Sequence, residues 1–538
     1  MSQRIVILGG GFAGLFAARQ IKRKLGAAAE VQLISEENYF VFQPLLPEVA
    51  AGSITAPHAV TPLRALLKDV FVRKARVHSV DFDRRIVTVF QGVQRRPTEV
   101  TYDHLVVALG QIVDLSKMPG LSDHALTIKN LEDARNLRNH VIEKLEHAEI
   151  TGLPQVKREA LTFTVVGAGF SGVETVGELK ELIDRSLTFY PNISPKDVQV
   201  VVVEYADRVL GELPASLGQY AQEQLEARGI EIMLGRGVAS ATGTQLTLTD
   251  GTKIPTRTIV ATIGNGPSPV VRSMGLEQQA GKIAVERTLQ AKGHSNVWSI
   301  GDCALIPMKD GATERDDYAP PTAQFAVREA RCLADNIAAA LGQKDLIPFA
   351  YKSQGAMASL GARRGVAEVW GMKLSGFPAW LLWRAYYVGF MPGLSTKVRV
   401  MLNWIMDALA ARSVVQLKGN TPPATRYVHY SAGDRIYEVG NRADGVYTIV
   451  SGAVELSHVT ADGREMTAHL GEGDHFGEGI LRGQDRRRST VRALEDTKVL
   501  LMEKDVFLRM LDAYPILKDH VNDHLPALFA YGVNFIKR

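Results

Sequence analysis

Two stretches of the sequence decide the fold: RIVILGGGFAGLFAARQIKRKL at residues 4–25 and TFTVVGAGFSGVETVGELKEL at residues 162–182. Each predicts a short apolar strand, a Gly-x-Gly-x-x-Gly turn and a helix. The first glycine of such a turn permits a tight bend, the second lets a pyrophosphate approach bare backbone, and the third lets the helix pack closely on the strand. The phosphate charge then lies at the helix amino end, which favours an anion. The sequence therefore predicts two dinucleotide sites, built on Gly9, Gly11 and Gly14, and on Gly167, Gly169 and Gly172.

Acidic residues follow the later strands of both units. VQVVVVEYADRVL, at 198–210, places Glu204 at a strand end, where a carboxylate accepts hydrogen bonds from a free ribose 2′-hydroxyl and repels a 2′-phosphate. NADH is therefore expected in preference to NADPH. NVWSIGDCAL, at 296–305, ends in Gly301-Asp302, an acid that can face the ribityl and phosphate region of a flavin. We interpret the pair as one flavin site and one nicotinamide site; the alternative is that these glycines serve only as turns.

Composition excludes several other classes of protein. The chain has 538 residues, enough for several domains, and its net charge of +4 gives no support for a nucleic-acid partner. Its two cysteines, Cys303 and Cys332, are too few for a disulfide framework and do not form a CxxC pair, so we expect a reduced cytoplasmic setting and no thiol chemistry. The first strand begins almost at once, so we expect no secretory signal, and no apolar stretch of 18 residues predicts a spanning helix. We assign no metal site.

Over about residues 1–420 the chain resembles the two-dinucleotide-binding-domain flavoproteins, and within them the type II (non-proton-pumping) NADH:quinone oxidoreductases of respiratory chains. The motifs that carry the resemblance are NYFVFQPLLPEVAAG at 38–52, LVVALGQ at 105–111, GFSGVETVGEL at 169–179, SIGDCAL at 299–305 and APPTAQFAVREA at 319–330. The resemblance implies two Rossmann-like domains, bound FAD, NADH as substrate and a membrane quinone as acceptor.

The resemblance also implies roles for single residues. Glu174 would lie near the nicotinamide and the flavin, and Ala323 and Gln324 would line the quinone side of the isoalloxazine. Two positions depart from the family pattern: the first ribose acid is shifted from Ser35 to Glu36, and two glutamines after the Ala-Gln motif are replaced by Arg328 and Glu329. The residues expected to hold FAD are Gly9, Gly11, Gly14, Glu36, Gly110, Gly301 and Asp302, and those expected to hold NADH are Gly167, Gly169, Gly172 and Glu204.

The segment 377–412 predicts two amphipathic helices that lie on a membrane. Val398, Met401, Leu402, Ile405 and Leu409 share one helix face. Trp and Tyr side chains at 380, 383, 386 and 387 are types that prefer the membrane–water boundary, and the arginines at 384, 399 and 412 and the lysine at 397 could meet anionic head groups. We expect a peripheral protein on the cytoplasmic side of the inner (cell) membrane. The alternative is that these helices cover an ordinary core or a homodimer interface.

Beyond the proline-containing linker LKGNTPPATRY at 417–427, short strands alternate with turns and predict a β-roll or jelly roll ending in helices. Residues 425–535 resemble the cyclic-nucleotide-binding domain family. In that family a short helix and an arginine cradle the cyclic phosphate of cAMP or cGMP. The matching residues are Gly477 and Glu478 at the start of the cassette, Arg487 as the phosphate arginine with Arg488 as a one-residue alternative, and Ser489.

These motifs predict six segments. They are an FAD domain at 1–111, a connecting segment at 112–160, an NADH domain at 161–280, a second part of the FAD domain at 281–345, a membrane-docking segment at 346–420 and a cyclic-nucleotide-binding-like domain at 421–538. Three functions remain open: a membrane NADH dehydrogenase regulated by a cyclic nucleotide, a soluble flavin-dependent NADH oxidoreductase with a non-quinone acceptor, and a redox or cyclic-nucleotide sensor without significant turnover.

Overall fold

The computed structural model describes residues 2–92, 96–410, 412–416, 425–430, 432–459, 465–482, 485–513 and 536–537. The chain forms two compact units. The first contains Met1–Lys74 and Tyr102–Lys418, and the second contains Ala75–Thr101 and Gly419–Arg538. Residues 417–424 of the expected linker 417–427, and residues 514–535, lie outside the described residues, whereas Thr425 begins a strand.

The first glycine turn lies at the carboxyl edge of a parallel sheet. Strand Gln3–Leu8 pairs on one side with Ala29–Ser35 and on the other with His104–Val107. Its residues Ile5 to Leu8 are almost fully buried, as expected for a parallel strand covered by helices on both faces. Helices Phe12–Leu25 and Ala323–Leu341 pack against each other. In spatial order the strands of this sheet in the first unit are Val297–Ser299, His104–Val107, Gln3–Leu8, Ala29–Ser35 and the start of Phe71–Asp81.

The second glycine turn lies at the same edge of a second parallel sheet. Strand Thr162–Val166 is fully buried and is followed directly by the turn and by helix Phe170–Ser186. The strand order is Ala125–Thr127, Thr258–Ala261, Thr162–Val166, Gln199–Val203 and Ile230–Met233. Two parallel sheets, each with a glycine turn after its central strand, confirm the predicted fold class of two Rossmann-like domains.

Further helices and several short strands accompany these two parallel sheets. The further helices are Leu46–Ala50, Leu63–Leu66, Leu121–His124, Leu131–Ile150, Pro154–Leu161, Ala215–Glu226 and Pro269–Ser273. Small antiparallel pairs and sheets are formed by Tyr39–Val41 with Val60–Pro62, by Gln111–Val113 with Asn265–Pro267, by Val238–Ala241, Gln245–Leu248 and Lys253–Pro255, and by Gln278–Gln279 with Lys282–Ala284, which also pairs in parallel with Ala304–Leu305.

An antiparallel sheet and two helices follow helix Ala323–Leu341. The strands are Gly355–Ser359, Gly365–Val369 and Met372–Gly376, and the helices are Phe377–Phe390 and Leu394–Leu409. We call these two helices the docking pair. Within the described ranges, every helix is too short or too polar to cross a membrane.

The second unit contains two antiparallel sheets from the end of the chain and three antiparallel strands from an earlier part of the chain. Strand Phe71–Asp81 enters this unit at Ala75 and pairs with Ile86–Gln91, which pairs with Arg96–Thr101. The Arg486 guanidinium lies over the Phe90 ring at 5.3 Å, and Arg96 lies 3.7 Å from the Glu438 carboxylate. One sheet contains Thr425–Tyr430, Thr497–Glu503, Gly445–Ser451 and His475–Phe476; the other contains Arg435–Tyr437, Thr490–Ala493, Val454–Val459, Glu465–Leu470 and Ile536–Lys537; helix Lys504–Ala513 follows.

Candidate functional site

The first glycine turn is crowded by backbone at Gly9 and Gly14 and is open to a phosphate at Gly11. Gly9 has a φ of +108°, and a Cβ there would lie 2.2 Å from the Ala108 carbonyl oxygen. A Cβ on Gly14 would lie 1.9 Å from the Gly9 carbonyl oxygen, whereas nothing lies within 4 Å of one on Gly11. Gly11 is also the residue before the first turn of helix Phe12–Leu25. These residues fit a dinucleotide phosphate, which would meet bare backbone at the positive end of the helix.

The structure brings Gly301 and Asp302 beside this turn. Gly301 has a φ of +73°, and a Cβ there would lie 2.8 Å from the Cβ of Ala13, in the first turn of the same helix. Lys129 Nζ lies 3.8 Å from Asp302 Oδ2. The Gly-Asp motif therefore lies beside the first glycine turn, and the residues of both motifs fit the phosphate and ribityl region of FAD.

The two other residues expected near FAD lie at neighbouring strand ends. Gly110, with a φ of +64°, follows strand His104–Val107. Glu36 follows strand Ala29–Ser35 and is exposed, while Ser35 is buried beneath the turn, where a Cβ on Gly10 would lie 2.5 Å from its Oγ.

The second glycine turn repeats this geometry and adds an acid. Gly167 has a φ of +102°, a Cβ on Gly172 would lie 1.9 Å from the Gly167 carbonyl oxygen, and Gly169 is open. Glu204 Oε2 accepts a hydrogen bond from Ala168 N at 2.5 Å, and its Oε1 accepts one from Ala206 N at 2.8 Å. The carboxylate at the end of strand Gln199–Val203 thus lies against the turn itself, where a ribose of a bound dinucleotide would lie.

Glu329, noted in the sequence only as a departure from the family pattern, supports the Gly-Asp turn. Its Oε2 accepts a hydrogen bond from Gly301 N at 2.7 Å, and the side chain is 2% exposed. Burial raises the pKa of Glu329 to about 7, partly offset by that hydrogen bond. Sequence reasoning missed this role because Gly301 and Glu329 lie on different elements.

Gln324 lies at the start of helix Ala323–Leu341, next to the other departure. Its Oε1 accepts a hydrogen bond from Ser353 Oγ at 3.2 Å. Arg328 donates to the Gln324 carbonyl oxygen at 3.1 Å, and its guanidinium lies over the Tyr351 ring at 4.9 Å. A cation thus lies one helical turn from Gln324, where the family pattern has a neutral amide.

Glu174 is buried and faces strand Gly355–Ser359 and the docking pair. Its Oε1 accepts hydrogen bonds from Trp383 Nε1 at 2.8 Å and from Ser359 N at 3.1 Å. No cation forms an ion pair with it among the described residues. Burial, which outweighs these two hydrogen bonds, raises the pKa of Glu174 to about 8. Near neutral pH this carboxyl group is therefore protonated.

A row of aromatic rings joins Glu174 to the first glycine turn. Trp383 meets Tyr387 edge to face with ring centroids 4.7 Å apart, and Tyr387 meets Phe42 at 5.6 Å. Phe42 lies 5.6 Å from Phe12, the first residue of the helix after Gly11, and Phe390 stacks on Phe12 at 6.0 Å. The docking pair therefore contributes an apolar wall beside the proposed flavin site.

In the second unit, the cassette arginine lies inside the β-roll. Arg487 donates to Asp444 Oδ1 at 2.7 Å, to the Gly445 carbonyl oxygen at 2.7 Å and to the Gly477 carbonyl oxygen at 3.0 Å. Its guanidinium lies over the Tyr437 ring at 4.3 Å. Gly477 has a φ of +95°, and a Cβ there would lie 2.6 Å from this guanidinium.

The other cassette residues differ in orientation. Arg488 is exposed, and its carbonyl oxygen is bonded to His458 Nδ1 at 2.8 Å. Ser489 forms a side-chain hydrogen bond with Tyr437, and burial raises the pKa of Glu478. Of the two arginines weighed from the sequence, Arg487 is the one that faces the interior.

The second unit also contains a cavity of about 620 Å³, which the described cassette residues 476–480 and 485–490 do not line. Tyr437, Asp444 and Tyr447 line it, and all three also contact Arg487. Its other charged lining residues are Arg76, Arg96, Arg426, Arg435, Glu438, Arg442, Glu503, Lys504 and Asp505.

Comparison with known proteins gives three family matches in chain order. The model of pyridine nucleotide-disulphide oxidoreductases matches residues 3–330, that of the NDH2 C-terminal domain matches 353–413, and that of the cyclic nucleotide-binding domain matches 427–514. The type II NADH:quinone oxidoreductase Ndh of Mycobacterium tuberculosis is 31% identical over 425 residues, which cover 76% of this chain and 89% of that protein. The chain belongs to the type II NADH:quinone oxidoreductase family.

Other similarities agree with this family. The demethylphylloquinone reductase NdbB of Synechocystis sp. is 30% identical over 416 residues, covering 76% of this chain and 96% of that protein. Among solved structures, NDH2 from Plasmodium falciparum in complex with NADH has the same fold, with a TM-score of 0.71 at 18% identity over 77% of this chain and 100% of that one. The match to the NDH2 C-terminal domain covers strands Gly355–Ser359 to Met372–Gly376 and the docking pair.

Helix Leu394–Leu409 leaves the apolar face expected from the sequence exposed. Val398, Met401, Leu402, Ile405 and Leu409 are between 40% and 79% exposed, whereas Val400 and Trp404 are buried. Two polar side chains of the helix also contact the protein: the Asn403 amide contacts His58 Nδ1 at 2.5 Å, and Asp407 accepts from Arg412 Nε at 2.8 Å. A contiguous exposed apolar face on a monomer is typical of an interaction surface.

Two details of the predicted docking surface are wrong. Trp383 and Arg412 are 1% and 6% exposed, so neither can meet lipid. Trp383 donates to Glu174, and Arg412 is enclosed by carboxyl groups. Arg384 is also largely inside, since it pairs with Glu48 at 3.3 Å and lies between the Trp380 and Trp404 rings at 4.1 and 4.3 Å. The helical pattern showed which face is apolar but not that some Trp and Arg side chains turn inward.

Proposed function

We propose that this protein oxidises NADH with bound FAD and passes two electrons to a membrane quinone. The observation that supports this best is the continuous arrangement of two open glycine turns, a row of aromatic rings and an exposed apolar helix face within one compact unit. The names of the relatives agree with it, since they include type II NADH:quinone oxidoreductases and a demethylphylloquinone reductase.

The chain's own residues act by binding and positioning. The turn at Gly9, Gly11 and Gly14, with Gly110, Glu36 and Asp302, would hold FAD, and Glu329 fixes the Gly301 amide beside it. The turn at Gly167, Gly169 and Gly172 would hold the NADH pyrophosphate, and Glu204 would bind its ribose. When bound there, FAD would supply the redox chemistry of the reaction. Hydride transfer needs alignment rather than an acid–base pair, so position and exclusion of water are the protein's contribution.

The acceptor would approach between Gln324 and the aromatic row. Gln324 accepts a hydrogen bond from Ser353, and Glu174, which accepts one from Ser359, would offer a protonated carboxyl group to the acceptor. Arg328, one turn from Gln324, would favour an acceptor that becomes more negative when reduced. A soluble flavin-dependent oxidoreductase with a non-quinone acceptor is the second candidate, and Arg328 is the residue that favours it.

We propose that the docking pair lies in the membrane surface, on the cytoplasmic side, with the Leu394–Leu409 helix parallel to it. Lipid that covers these half-exposed apolar side chains would stabilise the membrane-bound state by about 25 cal/mol per Å² of apolar surface removed from water. Leu402→Asp with Ile405→Asp should abolish sedimentation with anionic liposomes and should leave reduction of soluble dyes unchanged. Wild type that stays in the supernatant would refute membrane docking.

Regulation by a cyclic nucleotide such as cAMP or cGMP is the finer part of the proposal. Arg487 is the inward arginine of a cassette whose family model matches residues 427–514. Its guanidinium pairs with Asp444, so a cyclic phosphate would have to replace that carboxylate as the partner.

The deciding experiment measures NADH oxidation by the FAD-loaded protein with a short-chain quinone, with and without cAMP or cGMP, for wild type and Arg487→Ala. The proposal expects a yellow protein that NADH bleaches, quinone turnover, and a nucleotide effect that Arg487→Ala removes. Bleaching without quinone turnover would favour the second candidate. Negligible turnover with any acceptor, together with nucleotide binding that shifts on flavin reduction, would favour a sensor.

A further inference from the structure

The cavity in the second unit takes no part in the functions proposed above. Its volume of about 620 Å³ lies within the range of small-molecule sites, which is about 300–1,000 Å³. Two parts of the chain line it: the upstream strands, through Arg76 and Arg96, and the roll, through residues within 426–447 and 501–505. The described cassette residues do not line it, so a ligand here would be held by other residues than a cyclic nucleotide in the cassette.

One wall of the cavity is apolar and aromatic. Arg426, Val428 and Tyr430 alternate along strand Thr425–Tyr430 and therefore lie on the same face of it. Val428, Tyr430 and Ile436 are half-buried and pack on the core of the roll. An inorganic ion would leave this wall in contact with water, whereas an organic ligand would cover it.

Cationic side chains outnumber carboxylates around the rest of the cavity. Of the lining residues that the structure describes, six are arginine or lysine and four are aspartate or glutamate. The cations are Arg76, Arg96, Arg426, Arg435, Arg442 and Lys504, and the carboxylates are Glu438, Asp444, Glu503 and Asp505. Low-dielectric walls focus the field of such an excess inside a cleft, so the cavity favours an anion.

Arginines share carboxylates at the edge of the cavity. Glu438 pairs with both Arg435 and Arg96, and the distance to Arg96 is 3.7 Å. Glu503 pairs with Arg426 at 2.9 Å. Three arginines thus face two carboxylates, and a guanidinium group binds phosphate through two parallel hydrogen bonds.

Asp444 and Lys504 pair with side chains outside the lining, and these two pairs leave the excess of positive charge unchanged. Arg487 pairs with Asp444 at 2.7 Å from the interior of the roll, and Asp485 pairs with Lys504 at 2.8 Å. The added charges have opposite signs and cancel. The described lining therefore combines a net positive charge with an apolar wall.

We propose that this cavity binds a phosphorylated organic molecule of nucleotide size, such as a nucleoside diphosphate. Arg426 and Arg435 bind its phosphates, and Tyr430 contacts its organic part. The cavity is a second ligand site in this unit, separate from the cassette. Because the upstream strands contribute Arg76 and Arg96, the site needs both parts of the chain that build the second unit.

Two variants of one ion pair test this proposal, because they break the same contact and change the charge of the cavity in opposite directions. Arg426→Gln removes a cation, whereas Glu503→Gln removes the carboxylate and frees Arg426 for a phosphate. With ADP as the probe, we expect the Kd from calorimetry to rise at least about fivefold in Arg426→Gln and to fall at least about threefold in Glu503→Gln. Arg287→Gln, which breaks an ion pair of 3.0 Å with Asp310 in the first unit, is the matched control and should leave the Kd within about twofold of wild type.

The titrations use the FAD-saturated full chain with excess NAD⁺ and excess cAMP, so that neither the second glycine turn nor the cassette is open to ADP. We expect ADP to bind under these conditions and to bind more weakly as the salt concentration rises. We also expect ADP to bind at least about tenfold more tightly than inorganic pyrophosphate, which cannot cover the apolar wall.

Three results would overturn the proposal. Loss of ADP binding in the presence of NAD⁺ and cAMP would assign that binding to the other two sites. A Kd that is unchanged in both variants, or that shifts in the same direction in both, would show that the charge of the cavity does not hold the ligand. Equal affinity for ADP and pyrophosphate would show that the cavity recognises phosphate alone.

Discussion

Replacing Glu174 by glutamine should stabilise the protein, and the gain should grow with pH. Burial raises the pKa of Glu174 from 4.5 to about 8 in the native state. Between these values the unfolded chain has lost the proton that the native state keeps, so the unfolding free energy of wild type falls as pH rises and levels off above about 8. One proton changes that free energy by about 1.4 kcal/mol per pH unit, which sums to about 5 kcal/mol over this interval.

The glutamine variant has no such proton to lose. Its amide oxygen can still accept from Trp383 Nε1 and Ser359 N, so the two proteins should differ by less than about 1 kcal/mol at pH 5. At pH 8 the variant should be more stable by about 4 to 5 kcal/mol. Urea unfolding of the FAD-saturated proteins at pH 5, 6, 7 and 8 measures this difference. A constant difference across these pH values would refute the assignment of a protonated carboxyl group.

Three further substitutions test the other sites. Gly172→Ala should destabilise the fold by about 3 kcal/mol and weaken NADH binding, since its Cβ would lie 1.9 Å from the Gly167 carbonyl oxygen; thermal unfolding and the KM for NADH measure this. Glu204→Gln should lower the ratio of kcat/KM for NADH to that for NADPH about tenfold, because the charge that repels a 2′-phosphate is gone. Asp444→Asn should tighten cyclic-nucleotide binding about tenfold in calorimetry by freeing Arg487, and unchanged affinity would show that this carboxylate does not compete with the ligand.

The sequence predicted those features that depend on short-range backbone rules. The two glycine turns require positive φ at Gly9 and Gly167 and leave no room for a side chain at Gly14 and Gly172, so the motifs alone predicted the turn after each central strand. Glu204 was also predictable, since a carboxylate at the end of the next strand must lie at the same edge of a parallel sheet. The cassette spacing left Arg487 and Arg488 as alternatives, and only the structure shows that Arg487 is the buried one.

The partners of the buried carboxyl groups of Glu174 and Glu48 could not be predicted in this way. Trp383 bonds to Glu174 across 209 positions, and Trp404 bonds to Glu48 across 356. A helical pattern separates apolar from polar positions, but Trp and Arg have both characters and can turn either way. Only the tertiary packing shows that Val400, Trp404 and Asp407 of helix Leu394–Leu409 meet the protein, while Leu402 and Ile405 are left exposed.

The second unit is built from two distant parts of the chain, the three strands within Ala75–Thr101 and the residues from Gly419 onward. In a shortened chain that ends at residue 418, the Phe90 ring would lose its contact with the Arg486 guanidinium, and Arg96 would lose its ion pair with Glu438. The truncated protein would expose the side of these strands that the second unit covers. If its yield or solubility were low, that result would therefore not report on regulation by the carboxyl-terminal roll. Any attempt to separate the two units must therefore also redesign the strands at 75–101, far upstream of the cut.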